Sequence, residues 1–422
     1  MRRTAGRPRT TGPAAPAATL ALVVAIVLTG CTAPDAGPGS ASGAPGTAPI
    51  ASAAPAAVTT NAPVFPPTAP AALALPETGQ GVGAVGIAAA DGSVELLGQS
   101  EPATTTPVPI ASITKVITSL VVLDAHPLAP AADDGTADQG PTITLTQSDL
   151  DVTAEVEAQG QFTEPMRVGQ QVSLHDALAI TLLTSANNYA ETAARWAFGS
   201  QEAFLAAART WLDAHSLTAT TLADASGLNP GSASTPTDLL RVASLAHANP
   251  ALLAITGQSS QQQADLGTIA NQNILLGEDG VDGLKTGSTS YAGFTLLTSA
   301  VVPVGSSSAT LVAVVLGTPS LDARFASTRA LLASARAGLS ELVLAQAGQS
   351  FGGYTASSGE VVQAVARDAR TATVFAGTPV TASVTLSERS SGVAGEVVGS
   401  AAFTLGATTV EVPLVLASDL KG

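Results

Sequence analysis

Ser112-Ile113-Thr114-Lys115 opens an apolar, helix-compatible stretch that continues to residue 123. Residues three apart on a helix share one face, about 5–6 Å between Cβ atoms. A serine hydroxyl is a weak nucleophile until a base takes its proton. A lysine can be that base where burial or a neighbouring cation lowers its pKa. Alone the tetrapeptide is ambiguous, because serine is abundant here and a capping serine beside a solvated lysine reads the same. Lysine is scarce, however: Lys115, Lys285 and Lys421 are the only three in the chain.

Two further stretches give the pair its context. Ser185-Ala186-Asn187 separates two helical patterns, 174–183 and 188–198. A hydroxyl and an amide two positions apart on such a turn can face one cleft, the first relaying a proton and the second holding a substrate amide. Lys285-Thr286-Gly287-Ser288-Thr289 brings the second lysine, several hydroxyls and a strand edge. Gly287 presents no side chain to obstruct a peptide pairing against that edge.

In this order the three stretches resemble the S-x-x-K, S-x-N and K-T-G motifs of the penicillin-binding protein and serine β-lactamase superfamily. Val281-Asp282-Gly283-Leu284, Ala292-Gly293-Phe294, Asn271-Gln272-Asn273-Ile274-Leu275-Leu276, Asp224-Ala225-Ser226-Gly227-Leu228 and Glu164-Pro165-Met166-Arg167-Val168-Gly169 narrow the resemblance. Together they look like the low-molecular-mass D-Ala-D-Ala carboxypeptidases of peptidase family S11, over roughly 79–347.

That resemblance implies an acyl-Ser112 enzyme acting on peptidoglycan stem peptides that end in D-Ala-D-Ala, with β-lactams as inhibitors. Lys115, alone or with Ser185, serves as base. Ser185 passes a proton to the leaving D-Ala, Asn187 holds a substrate amide, and the N–H groups of Ser112 and Ser288 form the oxyanion hole. Lys285, Thr286 and Thr289 hold the terminal carboxylate beside Gly287. No metal or cofactor is implied, and His126, His175, His215 and His247 lack ligand spacing. Some family members carry an arginine at the position of Gln272. No arginine lies between Arg241 and Arg324, so carboxylate binding rests on Lys285 and hydroxyls unless a distant arginine folds in. Two alternatives stand beside this reading. A class A β-lactamase uses a glutamate some tens of residues after S-x-N, yet no glutamate lies between Glu202 and Glu278, and Glu191 and Glu202 fall within helical patterns. A non-catalytic penicillin-binding sensor or wall-binding scaffold would have no need of the intact Ser112, Lys115, Ser185, Asn187 and Lys285.

The rest of the chain divides by composition. Four arginines and an apolar run over 17–28 precede Leu28-Thr29-Gly30-Cys31, around the sole cysteine. This reads as a signal peptide over 1–31 whose ending resembles a lipoprotein lipobox, with lipidated Cys31 tethering the protein to the extracytoplasmic face of the plasma membrane. Residues 32–78 are Ala/Pro/Ser-rich without periodicity and read as a disordered linker. The fold expected for 79–347 is α+β: a β-lactamase/transpeptidase-like domain with an antiparallel sheet flanked by helices and a helical subdomain. Strands at its two ends meet in one sheet, 127–161 is an acidic surface insertion, and 322–345 is one closing helix. Period-two alternation after 348 predicts a small all-β domain over 348–422. A net charge of −15 excludes nucleic acid as a natural partner, since phosphate binding needs clustered Lys and Arg.

Overall fold

A computed structural model describes residues 55–100 and 105–422. The expected leader, Cys31 and the linker up to 54 lie outside the described residues. Strand β1 is Ala57–Thr60. Strands β2 (Val82–Ala88) and β3 (Val94–Gln99) form a hairpin turned at Asp91-Gly92. Helices α1 (Thr114–Ala125), α2 (Gln147–Ala158), α3 (Leu174–Ala179), α4 (Asn187–Phe198), α5 (Gln201–Ala214), α6 (Pro236–Ala248) and α7 (Pro250–Thr256) follow. Then come β4 (Val281–Thr289), β5 (Gly293–Val304), β6 (Ser307–Thr318) and α8 (Leu321–Gly338). The chain continues with β7 (Leu339–Ala345), β8 (Ser350–Thr355), β9 (Val361–Ala366), β10 (Arg370–Phe375), β11 (Val380–Leu386), β12 (Val397–Leu405) and β13 (Thr408–Leu416).

The central sheet is antiparallel in the order β4-β5-β6-β2-β3. The terminal strands of the α+β domain therefore meet in one sheet, as the pattern implied. Alternate side chains of one strand point to opposite faces. Ala84, Val312 and Val314 join the core built on α1, α3, α4 and α6. Val85, Ala313 and Val315 face the other way, onto Phe325, Leu331 and Ala335 of α8. Both faces are covered, which explains why β6 is apolar without a break from Leu311 to Leu316. Burying one Val or Leu side chain is worth about 1.5–3 kcal/mol, so this two-sided packing outweighs any local preference in the sheet.

Helix starts follow capping chemistry. Thr235 accepts the Asp238 N–H at 3.3 Å, with Pro236 in the first turn of α6. Thr146 and Asp149 form a reciprocal capping box at α2. The expected insertion over 127–161 thus carries a capped helix, whose Thr153 and Val156 are buried.

Two expectations need correction. The closing helix stops at Gly338 rather than 345: Leu339 is already extended, at φ −82° and ψ 140°, and only a glycine fits at 338, against Phe375 and Ala71. Residues 339–345 instead leave as β7 and pair with β10, so the β region begins at Leu339 rather than 348. That region is a six-stranded antiparallel sheet, β1-β8-β9-β13-β12-β11, over a core that includes Phe351, Tyr354, Phe403 and Leu414. The second correction is β1 itself. The stretch 55–78 is not a free linker. Ala57 pairs with Thr355, Phe65 packs edge-on against Phe403 and Thr68 accepts the Gly377 N–H. Ala74 then donates to Ser334 on α8, and Leu73 reaches the β2–β3 hairpin at Gly98. The segment has no periodicity because its hydrogen bonds and apolar contacts come from distant partners, and its prolines favour an extended strap.

Candidate active site

Ser112 sits in a tight turn, Ala111–Ile113, just ahead of α1, and Lys115 lies in the first turn of that helix. Ala111 is held at φ +49°, a strained conformation of the kind that gathers at functional sites. What holds it is the loop from Asp224 to Asn229. The Asp224 carboxylate accepts the N–H groups of Gly227 (2.8 Å) and Asn229 (2.9 Å) and the hydroxyls of Ser226 and Ser232. Gly227, at φ +83°, backs directly onto the Ala111 carbonyl, where any Cβ would overlap it.

Lys115 is fully buried. Its Nζ donates to Ser112 Oγ (3.0 Å), Asn187 Oδ1 (2.7 Å) and the Ser226 carbonyl (2.7 Å). Burial lowers its pKa from 10.5 to about 7, against the opposing pull of Asp224 and Glu191. A lysine so placed exchanges a proton readily near neutrality. The helix after α3 widens into a π-helical turn and ends at Ser185, in left-handed conformation at φ +70°. That stop lets Ser185 face the cleft while Asn187 opens α4. Asn187 Nδ2 donates to the Phe162 carbonyl at 2.8 Å, tying the far rim to the lysine.

Strand β4 forms the sheet's edge. It carries Lys285, Thr286, Gly287, Ser288 and Thr289 past the serine. Gly287 lies against the Ser112 backbone nitrogen, 3.0 Å from where a Cβ would stand. Lys285 is buried, and burial, then Lys115 and Arg324, hold its pKa well below the ordinary value. Gln272 bridges the cleft floor: its amide donates to the Thr184 carbonyl at 2.8 Å and its oxygen accepts the Thr286 hydroxyl at 3.4 Å.

A cavity of about 280 Å³ brings Ser112, Ser185, Asn187, Gly287, Ser288 and Arg324 together. Lys285 and Thr286 lie behind it on β4, while Thr289 opens onto a neighbouring cavity of about 590 Å³. Arg324 is the residue that sequence reasoning did not place here. It comes from α8, is 4% exposed, donates to the Gly287 carbonyl at 3.3 Å and stacks 4.3 Å from the Phe325 ring centre. Its Nε is buried with no hydrogen-bond partner. No local motif announces it: in the sequence Arg324 only ends the arginine-free stretch that begins after Arg241. The four histidines are not brought to the cleft: His126 lies on Trp196, His215 on Trp211, His247 beside Asp282 and His175 beside Asp176.

The sheet, the helical region and the appended β region have the fold of penicillin-binding proteins. PBP3 of Streptococcus pneumoniae, described as a peptidoglycan synthesis regulatory factor, superposes with a TM-score of 0.58 at 24% identity, over 83% of this chain and all of that one. The family model for D-alanyl-D-alanine carboxypeptidases, peptidase S11, matches residues 94–320, and the chain belongs to that family. The D-alanyl-D-alanine carboxypeptidase DacC of Escherichia coli is 30% identical over 233 residues, 53% of this chain and 54% of that protein. A D-alanyl-D-alanine endopeptidase of Pseudomonas aeruginosa is 33% identical over 136 residues, 32% of this chain and 38% of that protein. The chain thus spans about half the length, or less, of the curated relatives it matches.

Proposed function

We propose that the protein is a serine D-Ala-D-Ala carboxypeptidase that trims peptidoglycan stem peptides. The observation that carries this reading is the buried Lys115 amino group, 3.0 Å from Ser112 Oγ, which opens on a cavity edged by β4. Neutral Lys115 takes the Ser112 proton as Oγ attacks the penultimate D-Ala carbonyl. The N–H groups of Ser112 and Ser288 receive the oxyanion. Loss of one such donor typically costs about 3–4 kcal/mol. Ser185 relays a proton to the departing D-Ala amine, and water then hydrolyses the acyl ester. Lys285, Thr286, Thr289 and Arg324 hold the terminal carboxylate. Arg324 thereby supplies the charge missing at Gln272. Asn187 holds the substrate amide and steadies Lys115.

A β-lactam acylates Ser112 in the same way and leaves slowly. The absence of any glutamate between Glu202 and Glu278 supports slow deacylation over class A β-lactamase chemistry. Lipidation of Cys31, with the protein tethered outside the plasma membrane, completes the proposal. Loss of fatty-acid labelling in Cys31→Ser tests it.

The deciding assay is D-Ala release from a diacyl-Lys-D-Ala-D-Ala peptide by wild type and Ser112→Ala, alongside mass spectrometry of a β-lactam adduct. Release by wild type alone, with the adduct on Ser112, is the expected result. An adduct elsewhere overturns the nucleophile. Rapid β-lactam turnover points to a β-lactamase, and β-lactam binding without release to a sensor. A cross-linked muropeptide cleaved faster than the monomer makes the protein an endopeptidase.

A further inference from the structure

One turn after Asn187, helix α4 turns a second polar side chain inward. Residues four apart share a face, so Glu191 lies on the side of α4 that carries the Lys115 contact. It is 8% exposed, an unusual position for a carboxyl. Its oxygen accepts the Ala225 N–H at 3.1 Å. The following carbonyl, that of Ser226, is the third acceptor of Lys115, and the Ala225 carbonyl accepts Thr118 of α1 at 2.7 Å. Glu191 and α1 thus both hold Ala225, the one at its N–H and the other at its carbonyl.

The charges facing Glu191 come from every element around it. Lys115 lies on α1 and Asp224 on the loop. Arg195 follows on α4, 3.6 Å from Asp149, and Glu155 of α2 lines the same cavity of about 590 Å³. Lys285 on β4 and Arg324 on α8 stand beyond Lys115. Burial, then repulsion from Asp224, lifts Glu191 from 4.5 to about 7, the range in which Lys115 also titrates.

We propose that Glu191 is a positioning residue for the serine chemistry and the proton partner of Lys115: it fixes the loop carbonyl that steers the lysine, and its charge decides how readily the lysine releases its proton. This rests on the reading of Lys115 as the base. An ionised Glu191 stabilises the ammonium and holds the base idle. A neutral one releases it.

The test is the rate of Ser112 acylation by a fluorescent penicillin from pH 5 to 9, with Ser112→Ala as blank. Glu191→Gln keeps an acceptor for Ala225 but removes the charge, so its acid limb moves down by roughly one pH unit. Glu191→Ala shows the same displacement and a plateau lower by roughly tenfold, from the unpartnered buried N–H. If Glu191→Ala does not fold, Glu191→Asp, which keeps the charge with a shorter reach, lowers the plateau without moving the limb. An unshifted limb in Glu191→Gln overturns the proton-partner role. A wild-type plateau in the Ala or Asp variant overturns positioning. Wild type that never labels at Ser112 removes the parent reading instead, a failure visible before any variant is made.

Discussion

Replacing Arg324 by leucine separates carboxylate binding from folding. The guanidinium is buried, donates one 3.3 Å bond to the Gly287 carbonyl and leaves Nε without a partner. In the free protein this is a poorly compensated charge, which burial lowers to a pKa of about 10 and which stands near Lys285. Removing such a charge for an apolar side chain of similar reach is often neutral or stabilising. The lost stacking on Phe325 works the other way by about 0.5–2 kcal/mol. The two contributions oppose one another, so Tm moves by a few degrees at most. Binding a terminal carboxylate is different, since a hydrogen bond to a charged group is worth about 1.5–3 kcal/mol. Arg324→Leu therefore lowers kcat/KM for a D-Ala-D-Ala peptide by about 10- to 150-fold. Steady-state D-Ala release is measured for the free acid and for the C-terminal amide of the same peptide. The amide lacks the charge that Arg324 meets, so wild type and variant converge on it. Equal losses on acid and amide, or a free-acid rate within about threefold of wild type, refute the assignment.

Other outcomes follow from the same structure. Gly227→Ala places a methyl on the Ala111 carbonyl at φ +83°. Left-handed strain alone costs about 1–2 kcal/mol, so Tm falls and penicillin labelling of Ser112 drops at least tenfold; a wild-type labelling rate counts against the loop as a clamp. Stability measured by urea unfolding passes through a minimum near pH 7. Glu191 rises on folding from 4.5 to about 7, so the folded chain binds more protons in that window and stability falls as pH increases. Lys115 drops from 10.5 to about 7, so the unfolded chain binds more protons above it and stability climbs again. Glu191→Gln flattens the acid side; a wild-type curve that does not fall as pH rises to 7 contradicts the Glu191 shift, and one that does not climb above pH 7 contradicts the Lys115 shift. Phe65→Ala removes a half-buried ring from Phe403, which lowers the stability of the β region by about 1–3 kcal/mol, read by hydrogen exchange at β1 and β8. Unaltered exchange there would show that the strap is not anchored by this ring.

The proposed nucleophile was legible because its chemistry is local. Ser112 and Lys115 are three residues apart, and Lys285 stands out in a chain with three lysines. The central sheet was legible as runs of apolar residues, since both of its faces are buried. What escaped was held by distant partners. Arg324 meets Gly287 across 37 positions, and no spacing rule reaches that far. Glu191 sits in a helical pattern that also suits a solvated acid. Only the loop delivering the Ala225 N–H makes it internal. The helix continued past 338 in the sequence reading because Leu339, Leu342 and Val343 also fit a helical stripe. Pairing with β10 decides otherwise, and that partner lies beyond any local window.

Strand β1 also dictates an order of assembly. Thr59 and Gly353, joined across β1 and β8, are 294 positions apart. A chain synthesised from its N-terminus delivers β1 long before its partner arrives. The central sheet can close once β6 has emerged, whereas the β region must wait for β8 to receive its first strand. Contacts of such separation form late and slowly. Until then β1 is a bare strand that a second chain can capture, and pairing with its own β8 is what removes that opening.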